Sequence, residues 1–226
     1  MIFNLLNLFY PKVCAGCESL LLHNEYVICT QCRHEIPLTL HHTHDNKEVM
    51  DKFYGRLDLH FAGALFYFHK KGIVQEMIHK LKYKGHEEIG TAIGLWYGSE
   101  IKNHPILKDV EVIIPVPLHK KRYRKRGYNQ VTTFGEALAS SLQIPFNPDF
   151  LIRLKFTETQ VWKSLVERSN VAEKGFEVIE DETMYGKHFL LIDDVITTGA
   201  TLEACGSALL QIPGSRLSII CMAMTQ

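Results

Sequence analysis

Apolar residues in this chain follow two patterns. Short unbroken runs occur at Ala62 to Phe68 (AGALFYF), at Val110 to Leu118 (VEVIIPVPL), within His188 to Val195, and at Leu217 to Met224 (LSIICMAM). Their length and their β-branched and aromatic content predict strands buried on both faces. Leu151 to Lys155 predicts one further short strand. Between these runs, Ile73 to Lys84 (IVQEMIHKLKYK) carries apolar residues at helical spacing. Ile89 to Ile101, Asn129 to Leu142, Gln160 to Ala172 and Ala200 to Gln211 also predict helices, the first of these despite Gly90, Gly94 and Gly98. Strands that alternate with helices predict right-handed βαβ units, and so an α/β fold in which helices flank a parallel sheet.

One run leads directly into chemistry. Leu190 to Glu203 reads LLIDDVITTGATLE, an apolar strand, two acids, a Thr/Gly loop and a helix start. Asp193 and Asp194 fall at the carboxyl end of the strand, where open α/β sheets place their ligands. Ionised carboxylates only accept hydrogen bonds, so an adjacent pair suits the vicinal hydroxyls of a ribose. Thr197, Thr198, Gly199, Ala200 and Thr201 then supply hydroxyls, small side chains and a run of backbone N–H groups that cradle a phosphate dianion. An ordinary strand and turn has little use for two acids beside such a loop. The stretch resembles the 5-phosphoribosyl 1-pyrophosphate (PRPP) binding motif of type I phosphoribosyltransferases.

The N-terminal part has a different character. Cys14, Cys17, Cys29 and Cys32 form the arrangement C-x2-C-x11-C-x2-C. Two residues between cysteines let a tight turn aim both sulfurs at one ion, and two such turns complete a tetrahedral zinc site of structural type. Redox chemistry is the rival reading, but a thioredoxin-like pair stands alone after a βαβ pattern. Cys205 and Cys221 lie on apolar faces of a late helix and strand and are expected in the core. A polar, histidine-rich stretch from Glu35 to about Arg56 holds His41, His42, His44 and Asp45. It reads as a linker with solvated histidines, with a second metal site as the alternative. The expected organisation is a zinc-ribbon-like module with an N-terminal helix over residues 1–45, a linker over 46–60 and the α/β domain over 61–226.

Composition narrows the partners. With 226 residues and 46% hydrophobic content, the chain has material for a full core and one small module. Lys plus Arg equals Asp plus Glu at 25 each, so affinity for nucleic acid must come from a local patch. One exists in HKKRYRKRGYNQ, where Lys120, Lys121, Arg122, Arg124, Lys125 and Arg126 surround Tyr123 in a predicted loop. Such a run is either a solvated loop or, because it leaves a strand at the ligand edge, a site for pyrophosphate or a nucleic-acid backbone. Gln130 and Lys82 are further candidates there. The segment Arg153 to Phe176, with Lys155, Thr157, Gln160, Arg168 and Asn170, reads as a salt-bridged helix or as a lid over an anionic substrate. No apolar stretch is long enough to span a bilayer, and MIFNLLNLFYP makes a poor signal peptide.

In order, four cysteines, VIIPVPL, RGYNQ, RLKFTETQ with ERSN, and LLIDDVITTGATLE resemble the ComF family of competence proteins over almost the whole chain. The resemblance implies a type I phosphoribosyltransferase domain, a cytoplasmic location and work on imported single-stranded DNA alongside other competence proteins. It also implies PRPP as a ligand, with magnesium on its pyrophosphate and ribose oxygens. Amidophosphoribosyltransferases are a more distant resemblance, but no glutaminase segment is present. Two function classes follow: an enzyme transferring phosphoribose, in which Asp193 and Asp194 stabilise charge on the sugar, and a non-catalytic PRPP sensor or DNA-binding adaptor.

Overall fold

The computed structural model describes residues 11–43, 47–154 and 175–226. The expected N-terminal helix, the helix Gln160 to Ala172 and the residues His44 and Asp45 lie outside them. The secondary structure otherwise follows the hydrophobic pattern closely. The strands are β1 (Phe61–Tyr67), β2 (Val112–Pro115), β3 (Leu151–Arg153), β4 (Phe176–Val178), β5 (His188–Ile196) and β6 (Arg216–Met224). The helices are α1 (Thr30–Glu35), α2 (Glu48–Asp51), α3 (Ile73–Tyr83), α4 (Glu88–Ile101), α5 (Lys120–Arg126), α6 (Thr132–Leu142) and α7 (Ala200–Leu209).

β1, β6, β5 and β2 form a parallel sheet in that order, and β3 pairs antiparallel with β4 as a separate ribbon. Both sheet edges are covered. The Tyr67 amide donates to Pro37 O at 2.8 Å beside β1, and the Asn147 amide donates to Ile113 O at 2.9 Å beside β2. Pairing edge groups that would otherwise be open removes a template for strand addition.

Two apolar layers sandwich the sheet. Residues of α3, α4 and α6, including Leu81, Tyr97 and Phe134, fill one layer. Residues of α7, the β3–β4 ribbon and the segment before β1, including Cys205, Leu151 and Phe53, fill the other. Cys205 and Cys221 are fully buried, as their apolar surroundings predict. α6, which follows β2 and α5, and α7, which follows β5, therefore sit on opposite faces. That makes the gap between β2 and β5 the topological switch point, the place where a crevice opens at the carboxyl ends of the strands.

The glycines of α4 have a packing role. A Cβ added at Gly94 would meet Phe134 O at 2.5 Å, and one at Gly98 would meet Ser141 Cβ at 2.5 Å. These positions form a groove that lets α6 approach closely. Gly94→Ala is expected to destabilise the fold by ~1–3 kcal/mol through overpacking. Chemical denaturation measures it, and an unchanged midpoint would contradict the close approach.

The segment expected as a linker is packed. Val49 and Phe53 are 0% and 1% exposed and belong to the core layer beneath α7. His41 is also buried, which corrects the expectation of solvated histidines: its Nδ1 accepts the Ala64 amide at 3.2 Å on the edge of β1. Polar residues between the apolar positions obscured this packing in the sequence.

Candidate functional site

Asp193 and Asp194 project where the switch point predicts, although β5 continues past them to Ile196. Asp194 is buried and holds two cationic or amide donors on one oxygen. Lys82 Nζ lies 2.8 Å from its Oδ2, and Gln130 Nε2 donates to the same atom at 2.7 Å. Asp193 Oδ1 accepts the Asp194 amide at 2.8 Å. A cavity of 170 Å³ lies over the pair, lined among others by Lys82, His119, Arg122, Arg126, Arg153 and Thr201.

Local chain geometry explains how these groups meet. Gly127, at φ 85°, terminates α5 in the left-handed region that glycine tolerates. The three residues after it each make a tie: Tyr128 OH donates to Leu81 O, Asn129 Nδ2 donates to Val116 O at 3.0 Å, and Gln130 reaches Asp194. Arg126 Nη1 donates to Gln130 Oε1, and its guanidinium lies 4.9 Å from the Tyr83 ring centroid. Lys82, at the end of α3, is thereby clamped between the α5–α6 corner and β5. In sequence RGYNQ signals a turn at a helix start, whereas its positioning of Asp194 depends on contacts 64 residues away.

The Thr/Gly loop lies beside the acids. Residues Asp193, Val195 to Leu202 line a small cavity of 60 Å³ at the start of α7. Gly199 has φ 80°, and a Cβ there would meet Phe53 Cε1 at 2.9 Å. The loop thus rests on the packed segment before β1, which is tied to α7 a second time by Arg56 Nη1 and Glu203 Oε2 at 2.8 Å. Backbone N–H groups at such a helix start favour a phosphate dianion.

The basic run is a helix and not a loop. Lys and Arg are good helix formers, the His119 ring Nδ1 caps the Lys121 amide at 3.1 Å, and the cations of the last turn oppose the dipole favourably. Helical spacing then sorts the charges. His119, Arg122 and Arg126 line the larger cavity, and Arg124 does not. Arg153, read in the sequence as part of a salt-bridged helix or a lid, lines the cavity from β3; Lys155 through Asn170 of that segment fall outside the described residues.

Electrostatics act on the acid pair. Burial first, then the Asp194 charge beside it, push the Asp193 carboxyl up to about 8. The folded state therefore holds a proton that the unfolded chain releases near the ordinary carboxylate value, so stability declines as pH rises between those limits. Asp193→Asn removes that proton and is expected to flatten the decline. Thermal denaturation from pH 5 to pH 8 tests this, and parallel curves for parent and variant would show that Asp193 ionises normally.

Cys14, Cys17, Cys29 and Cys32 bring their sulfurs within 4.8 Å of one another, a group that could hold a metal ion. Cys17 and Cys29 Sγ lie 3.7 Å apart, close to the ~3.8 Å edge of a tetrahedron with Zn–S of about 2.3 Å. The Gly16 and Cys29 amides donate to Cys14 Sγ at 3.4 and 3.3 Å. The Ser19 hydroxyl draws the Cys17 thiol down to about 6, whereas burial and then the neighbouring sulfurs push Cys32 up. A dication relieves that repulsion. Among the described residues no second such group occurs, and His41 and His42 instead face Glu48 and Glu100, each at 3.5 Å.

The parallel sheet, the switch-point crevice and the acid pair beside a Thr/Gly loop define a protein of the type I phosphoribosyltransferase-like α/β class, with a small cysteine-cluster module at its N-terminal end. Sequence comparison gives the particular lineage. Competence protein ComFC of Bacillus subtilis (strain 168) is 30% identical over 202 residues, covering 88% of this chain and 78% of that protein. The chain belongs to the ComF family of competence proteins. It also matches the DNA utilization protein YhgH of Shigella flexneri, with 26% identity over 152 residues, and spans 66% of that protein's length and 66% of its own. No protein-family model matches the chain. Among solved structures, an adenine phosphoribosyltransferase aligns at TM-score 0.39 and 16% identity over 66% of this chain and 75% of its own. No helix of the described residues is long and apolar enough to cross a membrane.

Proposed function

We propose that this protein binds PRPP with magnesium at the β2–β5 switch point and transfers its phosphoribosyl group, in the service of natural competence. One observation carries the reading: the acid pair, the Thr/Gly loop and the cations of α3 and α5 converge on adjoining cavities. The 5-phosphate sits on Thr197 to Thr201, the ribose hydroxyls donate to Asp193 and Asp194, and the pyrophosphate meets Lys82, Arg122 and Arg126. Magnesium, when bound with the ligand, neutralises pyrophosphate charge, and Asp193 and Asp194 are the oxygen donors on this chain that suit it.

In the transfer, the bond between the anomeric carbon and the pyrophosphate oxygen breaks, and its electron pair leaves with pyrophosphate. A lone pair of the acceptor forms the new bond and the acceptor proton passes to solvent. Positive charge develops on the sugar ring during departure. The acid pair, fully ionised once Asp193 has lost its proton, stabilises it while the basic side chains hold the leaving group, the kind of preorganised electrostatics that lowers a barrier most. Thermal shift with PRPP and magnesium tests binding, because a ligand for the folded state raises stability with its concentration. Pyrophosphate release in the presence of a panel of bases tests transfer. The cysteine cluster is read as a structural zinc site, for its near-tetrahedral sulfur spacing and the N–H donors on Cys14.

A second reading, a single-stranded DNA adaptor that keeps the pocket without turnover, is favoured by α5. Tyr123 is 53% exposed on a helix that carries six cations and no acid. Stacking and phosphate contacts of that kind bind single strands without sequence preference. Because the helix sorts its charges, two variants separate the readings. Arg122→Gln with Arg126→Gln is expected to weaken PRPP binding, whereas Arg124→Gln is expected to spare it. If DNA is the ligand of the outer face, Arg124→Gln flattens the salt dependence of DNA binding by about one counterion, a log–log slope change of ~0.7. Equal behaviour of all variants toward both ligands would leave α5 a solvated helix.

A further inference from the structure

The larger cavity holds more positive charge than its own acids satisfy. Lys82 is paired to Asp194, and Arg126 is bound through Gln130 to the same carboxylate. Arg122 and Arg153 line the cavity with no carboxylate of the described residues at ion-pair distance. They come from different walls. Arg122 stands on α5, on the side of Lys82 and Arg126, while Arg153 reaches in from the end of β3.

Arg153 is also preorganised. Its guanidinium carbon lies 5.1 Å from the ring centroid of Phe176, its cross-strand partner on β4, and that ring is buried. This cation–π contact restrains the guanidinium and leaves N–H groups available to a ligand. A guanidinium held this way matches a planar or tetrahedral oxyanion through paired hydrogen bonds. A neutral ring with one acceptor offers this exposed guanidinium no charge-assisted pair.

We propose that Arg153 recognises the acceptor, and that the acceptor carries an oxyanion, a carboxylate or a phosphate, beside the atom that attacks the sugar. The inference rests on the PRPP reading of the same crevice, in which the Thr/Gly loop takes the 5-phosphate and the α3–α5 wall takes the pyrophosphate. Those assignments exhaust the anions of PRPP and leave the β3 wall to the second substrate. Arg153 is then a specificity-determining residue that selects against neutral bases.

Calorimetric titration of the full chain tests it with defined probes. Orotate and uracil differ by one carboxylate, and inorganic phosphate supplies the other oxyanion. With PRPP and magnesium saturating, the parent is expected to bind orotate or phosphate at least ~10-fold more tightly than uracil, the scale of one charge-assisted pair. A preference for orotate marks a carboxylate acceptor, and a preference for phosphate marks a phosphorylated one. Arg153→Gln is expected to erase the preference while PRPP affinity stays within ~3-fold, and Arg153→Lys is expected to restore it in part. Thermal denaturation confirms that both variants fold.

Two results overturn the proposal: uracil bound as tightly as the oxyanions by the parent, or Arg153→Gln weakening PRPP as much as the probe. Failure of the PRPP reading is distinguishable, because the parent then gives no heat with PRPP and magnesium. The probes are in that case titrated into the ligand-free protein, where insensitivity of oxyanion binding to Arg153→Gln sinks the assignment and sensitivity sustains it.

Discussion

Above pH 8, where both acids are ionised, the double variant Asp193→Asn, Asp194→Asn is expected to bind PRPP with magnesium at least ~100-fold more weakly than the parent, since each lost charge-assisted hydrogen bond is worth about 1.5–3 kcal/mol. Amides keep the shape of the carboxyls but present one acceptor oxygen and a donor that faces the ribose hydroxyls. The two substitutions differ in their side effects. Asp194 is buried with Lys82 Nζ at 2.8 Å, so Asp194→Asn leaves an ammonium without its counter-charge and lowers stability as well as affinity. Asp193 carries the raised pKa and no cation at bonding distance among the described residues, so Asp193→Asn changes affinity with little loss of fold. Adding Lys82→Met to Asp194→Asn removes the stranded charge and is expected to recover stability but not affinity, because Lys82 also serves the pyrophosphate. Calorimetry with PRPP and magnesium is the measurement, and affinity within a few-fold of the parent would remove both acids from the site.

Removal of metal from the cysteine cluster is expected to have the largest effect on stability. Structural zinc in small modules contributes an apparent ~10–16 kcal/mol to folding at neutral pH. Residues 11–36 have only α1 and isolated bridges for regular structure. Their buried contacts centre on three of the four sulfurs, with Leu21, Ile28 and Ile73 around them. Chelation, or Cys14→Ser with Cys32→Ser, is therefore expected to unfold the module. The loss propagates partway into the α/β domain, because Ala15, Val27 and Ile36 join the core layer of α3 and Glu18 Oε1 pairs with the buried Lys80 at 3.0 Å. Metal analysis is expected to find one zinc per chain. A metal-free protein with an unchanged melting temperature would show that the four cysteines hold no structural ion.

The two sites stand on opposite ends of one helix. Ile73, at the start of α3, packs against the cysteine cluster, and Lys82, near its end, pairs with Asp194. Loss of metal is thus positioned to loosen the clamp on the acid pair. Weakened PRPP affinity after chelation, at a temperature where the sheet remains intact, is the observable consequence.

The sequence by itself determined the sheet and marked the two candidate sites. Unbroken apolar runs mark strands covered on both faces, because only a doubly covered sheet can bury such a run. The order of strand, acids and Thr/Gly loop is contiguous, so its geometry follows from local backbone conformation. The four cysteines are legible for the same reason, since each pair shapes its own turn. Tertiary structure alone decided what joins these pieces. Charge density in HKKRYRKR suggests a loop, whereas capping by His119 and Gly127 makes a helix, and helical spacing separates Arg122 and Arg126 from Arg124. Polar residues from Glu35 to Arg56 suggest a solvated linker, whereas packing inserts Phe53 beneath Gly199 and buries His41 against β1. Lys82 and Gln130 reach Asp194, and Arg153 reaches the cavity over the acids, from three separate parts of the chain. Contacts of that range depend on how helices cross the sheet, which hydrophobic periodicity along one segment does not encode.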